Sequence, residues 1–290
     1  MTTPLDPKKA DTKEKKSLPR ITIITATYNV EKDLPNLIAS IRNQTYKNIQ
    51  WIVIDGASKD KTLDILNSAD DVVSHLVSEP DKGIYDAWNK ALDFIDGDWV
   101  IFLGADDYLA SNIAVSKAAK ILNDLPDEIY LAYGQVRQLE KDGSSQMLGQ
   151  SWEILEKPFY SVMNIPHTGL FQRTSLFGIC GKFDPTYRIA GDYKFLLKAI
   201  QMNYKPVFLP LKISVMGGEG ISTRPEIGIH SLMEATKARK SLSITPVYTL
   251  AWCWVYLKAW IKFNIHKYFG EKTMKLSIYL YRFAKSKNKN

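Results

Sequence analysis

The chain has 290 residues, 45% apolar and 24% charged, with a net charge of +7, a balance that fits a globular protein with a substantial core. The charge is uneven: nine Lys/Arg and a single acid lie between Ser241 and the C-terminus, so the preceding 240 residues are nearly neutral. That distribution argues against a nucleic-acid-binding core and points to an anionic partner for the C-terminal region, while two distant cysteines, Cys180 and Cys253, exclude a disulfide framework and fit a reducing compartment.

Met1–Arg20 is polar, has neither the hydrophobic core nor the cleavage site of a signal peptide, and reads as a disordered tail. Ile21–Ala26 is a short β-branched run, followed by Thr27-Tyr28-Asn29 and a helical spacing of Leu34, Leu37, Ile38 and Ile41. Asn48–Asp55 predicts a second strand ending in Asp55-Gly56, and Asp60 is placed as the N-cap of a helix through Leu63, Ile65 and Leu66. Val72–Val77 reads as a third strand, Ile84–Ile95 as a helix and Trp99–Leu103 as a fourth strand. Strand-helix alternation with short connections predicts an α/β fold of three layers around a mostly parallel central sheet. Beyond residue 125 the pattern loosens into a strand at Ile129–Val136, a helix at Asp192–Met202, a strand with a Pro break at Lys205–Val215 and a helix at Glu226–Leu242.

Four strand ends carry polar residues: Thr27-Tyr28-Asn29, Asp55 to Asp60, Glu79 to Gly83, and Gly104-Ala105-Asp106-Asp107. On one edge of a parallel sheet they describe a binding crevice. Asp106 and Asp107 are adjacent carboxylates after an apolar run. Such a pair is costly unless something binds it, and a divalent cation carrying phosphate is the usual solution, although an Asp at this place is also a common helix N-cap. No Gly-rich nucleotide fingerprint or P-loop follows the first strand, and no His/Cys cluster suggests zinc.

Over residues 21–240 the chain resembles family 2 glycosyltransferases of the GT-A fold. Ile23-Ile24-Thr25-Ala26-Thr27-Tyr28-Asn29 resembles their opening strand, and Asp55-Gly56-x-Ser58-x-Asp60-x-Thr62 their second-strand motif. Asp81-Lys82-Gly83-Ile84-Tyr85-Asp86-Ala87-Trp88-Asn89-Lys90 is similar to a segment of bacterial surface-polysaccharide transferases. Ile189-Ala190-Gly191-Asp192-Tyr193 resembles the motif that presents the catalytic base, and Gly217 to Ser222 the flexible loop over the donor site. Gly104 departs from the pattern, since the metal motif often has an acid there.

The resemblance implies roles. Thr27 and Tyr28, with Asn29 beside them, would frame the nucleobase, and Asp55 would accept from its ring N–H, unless it serves only an Asp-Gly turn. Ser58 and Asp60 read as turn and cap residues. Lys82, next to Gly83, either pairs with the diphosphate or is simply solvated, and Asn89 either reaches the crevice or satisfies backbone groups. Asp106 would sit near ribose or metal, with Asp107 the principal ligand to Mn²⁺ or Mg²⁺. Asp192 would be the general base of an inverting transfer, a role compatible with opening a helix. His167, in a Pro-His-Thr loop, either contacts diphosphate or acceptor or is structural.

Ser241–Leu257 carries no charge across seventeen residues, includes Trp252, Trp254 and Tyr256, and falls short of a bilayer span. Lys258, Lys262 and His266 then recur on one helical face, and Lys272–Lys285 repeats the aromatic-basic mix. Such helices suit an anionic membrane interface; the alternative is packing on the domain or a homo-oligomer seam. The resulting expectation is a tail (1–20), a GT-A domain (21–240) and a basic, amphipathic membrane-association region (241–290). The enzyme would be cytoplasmic and peripheral on the inner face of the cell membrane. It would move a hexosyl or N-acetylhexosaminyl group from a nucleotide-sugar, a UDP-sugar by resemblance, to a hydroxyl of a lipid-linked saccharide in bacterial surface-polysaccharide assembly. The rivals are a nucleotidyltransferase, which usually opens with a Gly-rich basic loop absent from Thr27–Leu34, and a catalytically silent sugar-nucleotide or membrane scaffold.

Overall fold

A computed structural model describes residues 17–140, 143–217, 225–246, 250, 252–261, 263–265 and 267–268. Most of the expected N-terminal tail, the Gly218–Ser222 part of the donor loop, Lys262, His266 and the Lys272–Lys285 segment lie outside the described residues. In chain order the strands and α-helices are β1 (Ile21–Thr27), α1 (Leu34–Arg42), β2 (Ile49–Asp55), α2 (Thr62–Asn67), β3 (His75–Ser78), α3 (Ile84–Ala91), β4 (Trp99–Phe102), β5 (Tyr108–Leu109) and α4 (Ala114–Asp124). They continue with β6 (Leu131–Leu139), β7 (Ser145–Leu148), α5 (Trp152–Phe159), β8 (Leu170–Arg173), α6 (Ser175–Cys180), α7 (Gly191–Gln201), β9 (Val207–Met216) and α8 (Pro225–Ser241).

The strands form one sheet in the order β3-β2-β1-β4-β8-β6-β9-β5, with β7 paired to β6. Period-two alternation divides each central strand between two cores. Ile24, Ile52, Ile54, Val100 and Phe102 face a layer containing α3, α5, α7 and α8. Ile23, Trp51, Val53, Trp99 and Ile101 face α1, α2 and α4. Helix α1 buries Leu34, Leu37, Ile38 and Ile41, the four positions its spacing predicts. The three-layer α/β architecture is therefore present.

The parallel expectation holds for β3, β2, β1 and β4. Beyond them β8 enters antiparallel to both β4 and β6, and β9 returns parallel to β6. Two local expectations are corrected. The third strand begins at His75, because Val72 and Val73 donate their amides to Ala69 O in the turn after α2. The Ile84–Ile95 helix ends at Ala91 and tightens into a 3₁₀ turn over Leu92–Phe94. Pro210 lies within β9 at the register shift opposite Tyr133 and Gln135, so the ladder bulges rather than stops.

This topology sets one functional edge. The parallel strands β1, β2, β3 and β4 end there at Thr27, Asp55, Ser78 and Phe102. Antiparallel β8 starts there, just after His167–Gly169, and β9 ends there at Met216.

Candidate active site

Thr27, Asp55 and Ser78 are register partners across β1, β2 and β3. Asp55 is fully buried and accepts four hydrogen bonds. Its Oδ1 takes the hydroxyls of Thr27 (3.0 Å) and Ser58; its Oδ2 takes Ser58 N–H (2.9 Å) and the Ser78 hydroxyl (2.8 Å). A carboxylate offers about four acceptor positions, so the chain itself fills those of Asp55. The rest of the second-strand motif braces the first loop. Ser58 Oγ accepts Asn29 N–H (2.8 Å), Thr62 Oγ1 accepts Val30 N–H (2.9 Å), and Asp60 accepts both Glu31 N–H and Thr62 N–H. The expected N-cap is corrected by one residue: Lys61 holds that position, and Asp60, just before it, accepts the N–H of Thr62, the first helical residue.

Asn29 lies in the left-handed region at φ 52° and accepts Lys59 N–H through Oδ1 (2.8 Å). Its side-chain carbonyl thus ties two loops together. Tyr28, by contrast, is 62% exposed at the crevice edge. A Cβ on Gly56 would lie 3.3 Å from the Tyr28 ring and 2.7 Å from Asp81 Oδ2, so the first three strand-end loops converge around that glycine.

The Asp81–Lys90 segment builds the floor beneath the other half of the site. Asp81 and Asp86 accept Gly83 N–H (2.8 Å) and Lys82 N–H (3.0 Å), holding the turn in which Gly83 adopts φ 124° before α3 begins. Lys82 is exposed at that turn. Asn89 takes the second of its two expected roles, satisfying backbone groups: its amide N–H donates to Phe183 O (2.8 Å) and its oxygen accepts Phe183 N–H (2.9 Å).

Two aromatic residues of the same segment, absent from the sequence-derived site, reach the remaining groups. Trp88 stacks on the His167 ring at 4.9 Å and 12°. The Tyr85 hydroxyl lies 2.7 Å from Ile189 O and 3.1 Å from Asp192 Oδ1. Burial, reinforced by the Asp192 charge, pushes the Tyr85 phenol well above its ordinary pKa, so it remains a donor at neutral pH. Asp192 stands in the first turn of α7, where a carboxylate is favoured by the helix dipole. His167 Nδ1 is 3.5 Å from Asp192 Oδ2, and neither ring nitrogen has a hydrogen-bond partner among the described residues. Burial drives the imidazole pKa down, against the upward pull of Asp192, so the pair is a neutral ring beside a carboxylate rather than an ion pair.

Asp107 is 4% exposed; its Oδ2 accepts Gly104 N–H (2.8 Å) and its Oδ1 accepts Gly217 N–H (3.1 Å). Burial, then the adjacent Asp106 charge, raise its pKa to about 7 against those two N–H donors. Asp106 is less buried. A Cβ on Gly104 would meet Asp107 Oδ2 at 2.8 Å and Asp106 Oδ1 at 3.0 Å, which explains physically why this position carries no side chain. Among the described residues no group of three or more His, Cys, Asp or Glu could hold a metal alone. Two carboxylates with remaining positions left to phosphate and water nevertheless fit a Mg²⁺- or Mn²⁺-type site.

The description glycosyl transferase family 2 matches residues 22–180. A PGL/p-HBAD biosynthesis glycosyltransferase of Mycobacterium tuberculosis is 32% identical over 183 residues, covering 62% of this chain and 69% of that relative. Among solved structures, Staphylococcus aureus TarS superposes with a TM-score of 0.61 at 18% identity, over 85% of this chain and 43% of the TarS chain. TarS residues 1–349 have been solved with UDP-GlcNAc. The mannosyltransferase PcManGT of Pyrobaculum calidifontis, solved with GDP-Man and Mn²⁺, gives a TM-score of 0.62 at 17% identity over 93% of this chain and 81% of that one. At these identities the structural likeness establishes the fold, which is GT-A.

Proposed function

The chain belongs to glycosyl transferase family 2, and we propose that it transfers one sugar, with inversion, from a UDP-sugar to a hydroxyl of a lipid-linked saccharide in bacterial surface-polysaccharide assembly. The observation that carries this reading is Asp192: a carboxylate at the start of α7, braced by the Tyr85 hydroxyl and beside His167, on the edge where β1 to β4 also end. In an inverting transfer a single carboxylate takes the acceptor proton while the acceptor oxygen attacks the anomeric carbon from the face opposite the leaving diphosphate. The single Tyr85 hydroxyl proton is within reach of both Ile189 O (2.7 Å) and Asp192 Oδ1 (3.1 Å), so Tyr85 steadies Asp192 directly or through its loop without neutralising it.

On the donor side, Tyr28 offers its exposed ring to the nucleobase and Thr27 lines the strand end beneath it. Asp55 takes the base N–H by exchanging one of its internal hydroxyl donors, Ser58 or Ser78. Lys82 supplies a mobile positive charge for the diphosphate. Asp107, fixed by two backbone N–H groups, is the principal ligand to Mn²⁺ or Mg²⁺, with the more open Asp106 beside it near ribose or metal. When bound, the cation neutralises charge on the departing nucleoside diphosphate. A PGL/p-HBAD relative and a UDP-GlcNAc-binding fold neighbour support the saccharide and UDP assignments.

The test is a thermal-shift panel of UDP-, GDP- and dTDP-sugars with Mn²⁺ or chelator. A ligand that binds only the folded state raises stability by mass action. A Mn²⁺-dependent shift with a UDP-sugar, lost in Asp107→Ala, is expected. Asp192→Asn should keep that shift and lose turnover. No shift with any donor in folded protein would overturn the donor assignment, and full turnover in Asp192→Asn would overturn the base.

A further inference from the structure

We propose that Glu234, in the middle of α8, is a positioning residue for Asp192. The inference rests on the reading of Asp192 as the general base. Glu234 Oε1 accepts Arg188 N–H at 2.9 Å, and its Oε2 accepts Ile189 N–H at 2.8 Å and Ala190 N–H at 2.9 Å. Three successive main-chain amides directed at one point make a concavity that favours an anion, and the chain fills it with its own carboxylate. Charge-assisted bonds of this kind are stronger than neutral ones. Their target is the three-residue approach, 188–190, to Gly191 and Asp192, so they fix where α7 starts.

The same stretch is gripped from the other side. Ile189 O lies 2.7 Å from the Tyr85 hydroxyl, and a Cβ on Gly191 would fall 2.7 Å from the Tyr85 ring. Glu234 holds the amides of the loop, Tyr85 holds its carbonyl and packs beneath its glycine, and Asp192 emerges between the two grips. Helix α8 is itself well seated. Ala235 and Ala238 are buried in the core beneath it, and the fully buried Arg239 donates to Thr236 Oγ1 (3.3 Å) and Tyr160 O (3.4 Å). Thr236 Oγ1 also accepts Trp252 Nε1–H at 2.9 Å, so the helix that carries Glu234 is tied to the C-terminal segment. The Glu234 carboxylate touches neither donor nor acceptor; it acts through the backbone of residues 188–190. Misplacing a reacting group by about 1 Å costs on the order of 100-fold in rate.

The test compares Glu234→Ala, Glu234→Gln and Asp192→Asn in the full chain, with the UDP-sugar that gives the largest thermal shift and UDP release as the turnover readout. Glu234→Ala should expose amides 188–190 to faster hydrogen exchange and lower kcat roughly 10- to 100-fold. KM for the donor should stay unchanged, because the donor loops lie elsewhere. Added formate, a small carboxylate able to enter the vacated concavity, should restore part of kcat. Glu234→Gln, which keeps one carbonyl acceptor, should fall between wild type and Ala, and it serves as the readout if the Ala variant does not fold. Unchanged kcat despite faster exchange would overturn the proposal. So would a loss of activity that tracks global melting, with no rescue by formate. If Asp192→Asn keeps wild-type turnover, the base reading fails, while the exchange of amides 188–190 still reports independently on the Glu234 contact.

Discussion

At Gly217, a residue the sequence places in a mobile loop, the structure leaves no room for a side chain. A Cβ there would sit 2.6 Å from Asp106 Oδ2 and 2.7 Å from Asp106 O, while the Gly217 N–H holds Asp107 Oδ1. Gly217→Ala should therefore displace Asp106 and loosen Asp107 together. Overpacking costs about 1–3 kcal/mol in folding, but the sharper outcome is loss of the Mn²⁺-dependent part of nucleotide binding. UDP titration with and without chelator reads it, and wild-type affinity in Mn²⁺ would refute the account. Asp55 is constrained in a different way. With two hydroxyl donors on one oxygen, and a hydroxyl and an N–H on the other, replacing either oxygen by an amide NH₂ sets donor against donor. Asp55→Asn should cost about 1–3 kcal/mol in urea unfolding, the usual penalty for an unsatisfied buried group, and weaken UDP binding as well. Stability that stays at wild type would show that the hydroxyls re-pair without it.

Between elements, the loop from α6 to α7 shows how local charge sets the approach to Asp192, the proposed base. Burial alone would raise the Asp184 pKa, but hydrogen bonds from Lys194 and Thr186 prevail and hold it at about 2 against an ordinary 3.8. Lys194 Nζ lies 2.6 Å from Asp184 Oδ2, pinning the loop to the second turn of α7. A depressed carboxyl adds stability that is full above its unfolded pKa and is lost as pH falls through the folded one. The contribution should disappear between about pH 4 and pH 2, and Asp184→Asn should flatten that part of the melting-temperature profile; an unaltered acid limb would argue against the pair. The parts of this region that could be read from sequence were those with local signatures: Asp192 after a glycine at the head of an apolar-periodic helix, and strands whose ends are polar. Glu234 carries no such signature. It is one acid within a helical pattern, and its partners lie 44 to 46 residues away. Tyr85 and Trp88 carry no polar signature in the sequence: both are buried on one face of α3, where the Tyr85 hydroxyl meets Asp192 and the Trp88 face stacks on His167. Asn89 was legible only as one of two alternatives, since an amide beside a crevice looks like a ligand until its backbone partners are known. The reversal of strand direction at β8 was equally hidden, because the four residues Leu170–Arg173 carry too short a pattern to announce a strand or its sense.

For the whole molecule, the question is what the C-terminal segment does beyond holding α8. Among the described residues no helix is long and apolar enough to cross a membrane. Residues 252–261 are helical, with two distinct sides. Trp252 stacks on Tyr256 at 5.1 Å and bonds Thr236 on α8, which fixes an inner side. Trp254, Leu257, Trp260 and Ile261 are each between 42% and 56% exposed, and Lys258 lies over the Trp254 ring at 4.8 Å. Exposed tryptophans beside lysines, in a region with nine basic residues and one acid, suit the headgroup level of an anionic bilayer, where an indole has an apolar body and a polar N–H. Two forces would then act together: apolar burial, insensitive to salt, and attraction to anionic lipid of roughly 1 kcal/mol for each basic residue near the surface, which salt screens. Co-sedimentation with vesicles containing phosphatidylserine should consequently exceed that with phosphatidylcholine alone and weaken, without vanishing, as salt is raised. Trp254→Ala with Trp260→Ala should remove the salt-resistant part, each tryptophan contributing on the order of 2 kcal/mol from buried area. If neither lipid retains the chain and light scattering instead gives a dimer that this double substitution dissociates, the exposed side is a seam between copies.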